Sequence, residues 1–298
     1  MIEPRDTTPV CRFARQAMAC TWEVFIEGQN PTYARQAAEA AFAEVARLEQ
    51  ELSRFVLHSD IARLNSSPPG VPLRLGVDAW ECLELAARFH AETHGAFDVT
   101  VGALVRPPAG ESSVPPPVGM HLLELDRSAR SVTVRAPGLI VDLGGIGKGL
   151  AVDRVAGILR DWRVSAALVH AGQSTVYALG RPADQLGWNV AVRDPANYSA
   201  SLGHLCLCDR ALSGSGLLLH GEHIIDPRTR RPAAGQLAAW TLAPSAAASD
   251  ALSTAFMVLT PAEVGQYCES HRDISALLAL RTGAGYVLRR HGEAFAHL

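Results

Sequence analysis

Val141-Asp-Leu-Gly-Gly-Ile-Gly-Lys-Gly-Leu-Ala-Val-Asp153 is the most informative stretch of the chain. Four of the six residues from Gly144 to Gly149 are glycine, which lets a backbone approach a ligand closely. Helical spacing follows from about Leu150 to Trp162, so the loop opens a helix. Backbone N–H groups at such a turn and helix start attract anions. Lys148, inside the loop, is the single lysine of 298 residues, against 26 arginines. An ammonium on a flexible stem differs from a planar guanidinium in hydration, reach and proton affinity, so Lys148 marks a position where arginine is no substitute. The loop is not a Walker A, because Asp142 stands six before the lysine and Gly149 takes the Ser/Thr place; nor is it the dinucleotide fingerprint. A tight strand-to-helix turn with an exposed lysine is the plain alternative. The uniqueness of Lys148 favours a phosphate or pyrophosphate site.

Outward from the loop, the periodicity changes repeatedly. Residues 21–26 alternate like a strand, and an alanine-rich segment from Pro31 to about Phe55 has helical spacing. A second helix is predicted from Val77 to His94, stopped by Gly95, with a strand at Phe97-Asp-Val-Thr-Val101 after it. The proline-, serine- and glycine-rich stretch from Arg106 to Gly119 reads as an exposed loop between two halves of one domain spanning 1–298. A hairpin at 122–125 and 131–135 precedes the lysine loop. Strands are predicted at 166–169, 174–179, 188–193 and 204–208, helices near 250–259 and 262–270, and strands at 275–280 and 285–289. The order is α+β, not strict alternation.

Composition removes several classes of function. Hydrophobic residues make up 48% of the chain, ample for a core, and the formal charge is −3 with arginine scattered. A nucleic-acid surface needs a dense basic footprint, so no nucleic-acid partner is expected. The first ten residues contain acids and prolines and no apolar segment, and no stretch is long and apolar enough to span a bilayer. A cytoplasmic location without a membrane anchor is expected. The six cysteines form no C-x-x-C pair, so free thiols are the default. His204, Cys206 and Cys208 alternate and would share one strand face; without partners to close a zinc site they read as a half-buried strand. His90 and His94 read as helix-end histidines.

Three further motifs carry candidate chemistry. Asp250 and Thr254, four apart on a helix, place a carboxylate and a hydroxyl on one face. Both are hard oxygen ligands of the kind magnesium takes alongside substrate phosphates and water. The bland alternative has Ser249 capping the helix, Asp250 complementing its dipole and Thr254 incidental. In His223-Ile-Ile-Asp-Pro-Arg-Thr-Arg-Arg-Pro232, either a polar turn is present or His223 and Asp226 stand at the mouth of the anion site, where a histidine can move a proton. Phe97-Asp-Val-Thr100 puts Asp98 and Thr100 on one face of the expected strand.

Taken in order, these motifs resemble the ApbE family of flavin transferases, from about Met18 to Leu259. Met18-Ala-Cys-Thr-Trp22 is similar to the family's Met-Gly-Thr-Thr opening. Leu52-Ser-Arg-Phe55 with Ser59-Asp-Ile-Ala-Arg-Leu-Asn65 is similar to its flavin-stacking segment. Gly95 to Leu104, Asp142 to Gly149 with Asp153, His223 to Thr229, and Ser249 to Thr254 follow collinearly. The resemblance implies an α+β, ApbE-like fold on a tunnelling-fold-like core, with FAD in a cleft between its parts.

It also implies roles. Met18 and Phe55 would contact the isoalloxazine. Asp98, Val99, Thr100, Asp142, Lys148, His223 and Ile224 would line the cofactor site, and Asp250, Thr254 and the Gly145 carbonyl would hold Mg²⁺. The family moves FMN from FAD to a serine or threonine hydroxyl of a target flavoprotein and releases AMP. Lys148 and the metal would offset charge at phosphorus. His223 is the candidate base for the hydroxyl, with Asp226 second. Three segments depart from the family pattern: Gly172-Gln-Ser-Thr175 replaces Gly-Gly-Asp, Leu212-Ser-Gly-Ser-Gly216 replaces Thr-Ser-Gly, and Arg230 takes a common glycine. The family's lipoprotein signal is missing too. Two other activities are compatible with the same residues: an FAD pyrophosphatase yielding FMN and AMP, and flavin binding without turnover. Retention of Asp250, Thr254 and Lys148 favours catalysis, because a binder has less need of a metal at the phosphate bond.

Overall fold

The computed structural model describes residues 10–105, 115–197, 199–217, 224–283 and 285–298. The chain runs β1 (Cys11–Ala17), β2 (Cys20–Glu27), α1 (Pro31–Leu52), α2 (Asp60–Asn65), β3 (Pro72–Arg74), α3 (Val77–Glu92) and α4 (Gly102–Val105). It continues through β4 (Leu123–Asp126), β5 (Ser131–Val134), α5 (Gly147–Asp161), β6 (Ala166–Ala171), β7 (Thr175–Leu179), β8 (Trp188–Arg193) and β9 (Ser201–Leu207). Then come β10 (Arg210–Gly216), β11 (Ile225–Asp226), β12 (Arg231–Pro232), β13 (Gln236–Ala243), α6 (Ala246–Phe256), α7 (Pro261–Ser270), β14 (Ser275–Thr282) and β15 (Gly285–His291). The α+β class expected from the sequence is what the structure has.

An eight-stranded sheet in the order β1-β2-β6-β7-β10-β13-β14-β15 is the frame, and every neighbouring pair in it is antiparallel. Alternate residues of a strand face opposite sides, and here both sides are covered. Ala167, Val169, Tyr177, Ala211, Ala239 and Ala243 face the helices in the main core. Leu168, Val176, Leu212, Ala238, Trp240 and Leu242 face a second core completed by the β8–β9 hairpin and Phe295. The many alanines on the helical face let α6 lie close against β10 and β13.

Helix α1 starts where Asn30 accepts the Thr32 N–H at 2.9 Å and Pro31 opens the first turn. It buries Ala34, Ala37, Ala38, Ala41, Phe42, Val45 and Leu48 on one stripe. In α6, every residue except Thr254 is buried. Leu252 and Phe256, fully enclosed there, each contribute roughly 1.5–3 kcal/mol by leaving water. Ser245 caps α6 by accepting the Ala248 N–H. The helix therefore begins four residues before Asp250, and Ser249 donates to the Thr241 carbonyl at 2.9 Å instead of capping.

Two boundaries differ from expectation in ways that matter. Helix α5 begins at Gly147, so Lys148 lies in its first turn. Residues 97–100 are not a strand: Asp98 accepts both the N–H and the hydroxyl of Thr100, at 2.8 and 2.6 Å, which folds the segment into a turn. Only Val101 bridges to another segment, at Ile140. Of the expected loop at 106–119, residues 106–114 lie outside the described residues.

Candidate active site

Helices α5 and α6 meet at Gly149. A Cβ there would fall 2.3 Å from the Ala246 carbonyl oxygen and 2.7 Å from the Ala247 Cα, so only glycine permits the contact. Two carboxylates cross the junction in opposite directions. Asp250 of α6 accepts the Gly149 N–H at 3.0 Å, and Asp153 of α5 accepts the Ala246 and Ala247 N–H groups at 2.7 and 2.9 Å. Asp153 satisfies two of the unpaired donors that begin α6. Burial is the larger influence on it and pushes its carboxyl up to about 6, against the pull of those two N–H groups.

The glycine loop bends back onto this junction. Asp142 accepts the Gly144 N–H at 2.8 Å and donates its own N–H to the Val99 carbonyl at 2.7 Å. Lys148 Nζ donates to the Gly144 carbonyl at 3.0 Å. A Cβ on Gly145 would sit 3.2 Å from both the Thr254 hydroxyl and the Phe97 ring, which puts this backbone directly against Thr254. Gly145, Lys148, Asp250 and Thr254, distant in sequence, thus lie around one corner.

Asp250 is 4% exposed. Among the described residues, the donors that reach its carboxylate are the Gly149 N–H and, at 3.4 Å, the Thr175 hydroxyl, both neutral. A buried carboxylate whose partners are neutral offers a cation a place to pair with it. Thr254 Oγ1 donates to the Asp250 carbonyl at 3.3 Å. Among the described residues no three His, Cys, Asp or Glu side chains gather as a metal site. The donor set is one carboxylate with neutral oxygens, which suits a hard divalent ion that takes its remaining ligands from phosphate and water.

The other expected site residues fall nearby or are engaged elsewhere. Met18 and Ala19 form the left-handed turn between β1 and β2, with Met18 packed on the main core. Phe55, just past α1, is 68% exposed. Asp98 is buried and used internally: besides Thr100 it accepts the Met120 N–H at 3.1 Å and lies 3.4 Å from His90 Nδ1. Thr100 in turn accepts the Gly119 N–H at 2.7 Å. These side chains shape the segment, and Val99 is buried. Ile224 is buried, its carbonyl accepting the Ala233 N–H. Asp226 accepts from the N–H and the Nε of Arg228, at 2.9 and 3.1 Å, so its carboxylate is tied into the turn. The Arg228 side chain passes Gly95, placing this turn beside the segment that carries Asp98. His223 lies outside the described residues.

Several site residues lie in segments that the sequence marked as motifs or departures from the family pattern without giving the individual side chains a role. Thr175 and Ser213 form a hydroxyl chain to Asp250, with Ser213 donating to Thr175 at 3.2 Å, and Ser215 joins Ser253 at 2.9 Å. Ser213 and Ser215 sit two apart on β10, so a period-of-two reading puts both hydroxyls on one face. Cys20 lies in the same region. Burial pushes its thiol up, Lys148 pulls it down, and Glu49 and Asp250 raise it further.

The helix-backed antiparallel sheet that carries this corner is a fold shared with solved flavin transferases. Residues 18–278 match the ApbE family, and the chain belongs to it. It is 26% identical over 297 residues to an FAD:protein FMN transferase of Klebsiella pneumoniae, covering 91% of this chain and 84% of that one. The fold matches the crystal structure of the ApbE protein of Thermotoga maritima with a TM-score of 0.83 and 25% identity, over 97% of this chain and 98% of that one. It also matches the flavin transferase ApbE of Vibrio cholerae with a TM-score of 0.86 and 23% identity, over 98% and 100%.

Proposed function

We propose that the protein is an FAD:protein FMN transferase acting as one unit, which moves FMN from FAD to a serine or threonine hydroxyl of a target flavoprotein and releases AMP. The observation that carries this reading is the corner where Gly145, Lys148, Asp250 and Thr254 converge beside a helix start. It offers N–H donors and an ammonium to a pyrophosphate, and oxygen ligands to a divalent ion.

Asp250, Thr254 and the Gly145 carbonyl would hold Mg²⁺. Bound there with the substrate phosphates, Mg²⁺ supplies charge neutralisation at the pyrophosphate. Lys148 adds a fixed positive charge near the oxygens that gain negative charge in the transition state. The target hydroxyl oxygen forms a bond to the FMN phosphorus, the bond from that phosphorus to the bridging oxygen breaks, and AMP leaves with the bridging oxygen. The hydroxyl proton passes to a base, for which His223 is our assignment. Asp226, held by Arg228, is the weaker candidate. Met18 and Phe55 would flank the isoalloxazine.

The test is incubation with FAD and Mg²⁺, with and without a flavoprotein bearing an acceptor hydroxyl. AMP release that requires the acceptor, together with flavin that stays on it after denaturation, supports transfer. Equal FMN and AMP release without acceptor would make the protein a pyrophosphatase, and binding without AMP release would make it a flavin carrier.

A further inference from the structure

Arg54 stands between three segments that the flavin reading assigns to one site. Its Nη1 donates to the Gly102 carbonyl at 3.0 Å, and its Nε lies 3.1 Å from the Asp142 carboxylate. Its guanidinium carbon is 4.9 Å from the centre of the neighbouring Phe55 ring. The side chain is only 9% exposed. Gly102 leaves room for it: a Cβ there would fall 2.7 Å from Nη1 and 2.6 Å from the Ile140 side chain. The Nε hydrogen is buried yet aimed at no acceptor among the described residues, so this contact with Asp142 is one of charge more than of hydrogen bonding.

Burying a guanidinium is costly, and packing apolar atoms in its place is often neutral for folding. The charge is better accounted for by what it aligns. A planar fork reaches a carbonyl, a carboxylate and a ring face at once, which a point-charge ammonium cannot do. Phe55 is largely in solvent, and the guanidinium packed against its ring limits the orientations the ring can take. Asp142, the first residue of the glycine loop after Val141, is held at the same time through Oδ2 while Oδ1 takes the Gly144 N–H.

We infer that Arg54 is a positioning residue for flavin, fixing the Phe55 ring and the Asp142 loop in the relation that accepts FAD. This rests on the reading of the site as an FAD site. Arg54 touches no reacting atom, so its removal acts on affinity: a ring and a loop that must be ordered on binding weaken the complex, and the chemical step is untouched once FAD is in place.

The experiment compares wild type with Arg54→Met, Arg54→Lys, Phe55→Ala and the Arg54→Met/Phe55→Ala double variant. FAD affinity is read from quenching of flavin fluorescence, and KM for FAD and kcat from transfer to an acceptor protein. Arg54→Met is expected to raise the FAD Kd and KM on the order of 10-fold, with kcat within about 3-fold of wild type. Arg54→Lys should recover part of the affinity. In the Phe55→Ala background the Arg54 change should cost clearly less, because the two act as one unit. The inference falls if Phe55→Ala weakens FAD while Arg54→Met does not, or if the two effects simply add. Should Arg54→Met fail to fold, unchanged affinity in Arg54→Lys overturns it equally. A wild type that neither binds nor transfers FAD overturns the flavin reading itself.

Discussion

Gly149 donates its N–H to the Asp250 carboxylate at 3.0 Å, and it can come that close because it carries no side chain. The same glycine decides two things: how near α5 lies to α6, and where the acidic side chain of the candidate metal site is held. Gly149→Ala would set a methyl 2.3 Å from the Ala246 carbonyl oxygen, a contact that no rotamer relieves. Overpacking of this kind costs about 1–3 kcal/mol. The expected result is a lower denaturation midpoint together with loss of FMN transfer. A variant that keeps wild-type stability and rate would mean that the helices part easily and that their spacing does not set the site.

Removing the carboxylate itself should separate binding from chemistry. Asp250→Ala is expected to abolish transfer across a magnesium titration while FAD still binds, since a metal held at the proposed site would lose its one anionic protein ligand in this set. Wild-type transfer by Asp250→Ala at any magnesium concentration would move the metal elsewhere.

Lys148 lies in the first turn of α5 with its ammonium on the Gly144 carbonyl. A guanidinium is longer and planar and cannot take that place in a glycine loop. Lys148→Arg should therefore lose rate, on the order of 10-fold or more, although charge is kept. Single-turnover rates at saturating FAD check it. Equal rates would leave the lone lysine of the sequence without a role in the chemistry.

His223→Ala should slow single-turnover transfer on the order of 10²-fold while changing FAD affinity little, because a base acts in the transition state. Reduced affinity with an unchanged rate would make His223 a binding residue and leave Asp226 to be tested as the base, despite its bonds to Arg228.

What could be read in advance was what the chain encodes locally. Asp250 and Thr254 are one helical turn apart, so their shared face is visible in the spacing. Lys148 is visible by being alone, and the collinear motifs gave the family. Contacts between distant segments were not legible. Arg54 meets residues 48 and 88 positions further along, Gly102 and Asp142, and nothing near Arg54 in sequence announces either. The segment 97–101 alternates like a strand, yet the Asp98 carboxylate captures Thr100 and bends the backbone before it can pair. Strands β10 and β13 lie inside the sheet with both faces covered, so alternation of polar and apolar residues, the usual sign of a half-buried strand, is absent from them.

Asp153 gives a prediction whose sign is opposite to that of most acidic residues. Its carboxyl is pushed up to about 6 in the folded protein, mainly by burial, from an ordinary value of 3.8. Between these two values the native state holds a proton that the unfolded chain has lost, so its contribution to stability is full below about pH 4 and falls as pH rises to about 6. At about 1.4 kcal/mol per unit the change is roughly 3 kcal/mol. Asp153→Asn removes the titration. Its destabilisation relative to wild type should thus be larger at pH 4 than at pH 7, by an amount of that order. Urea denaturation of both proteins across this range measures the difference. A deficit that instead grows towards neutral pH would show that the Ala246 and Ala247 N–H groups outweigh burial and hold Asp153 as an anion throughout.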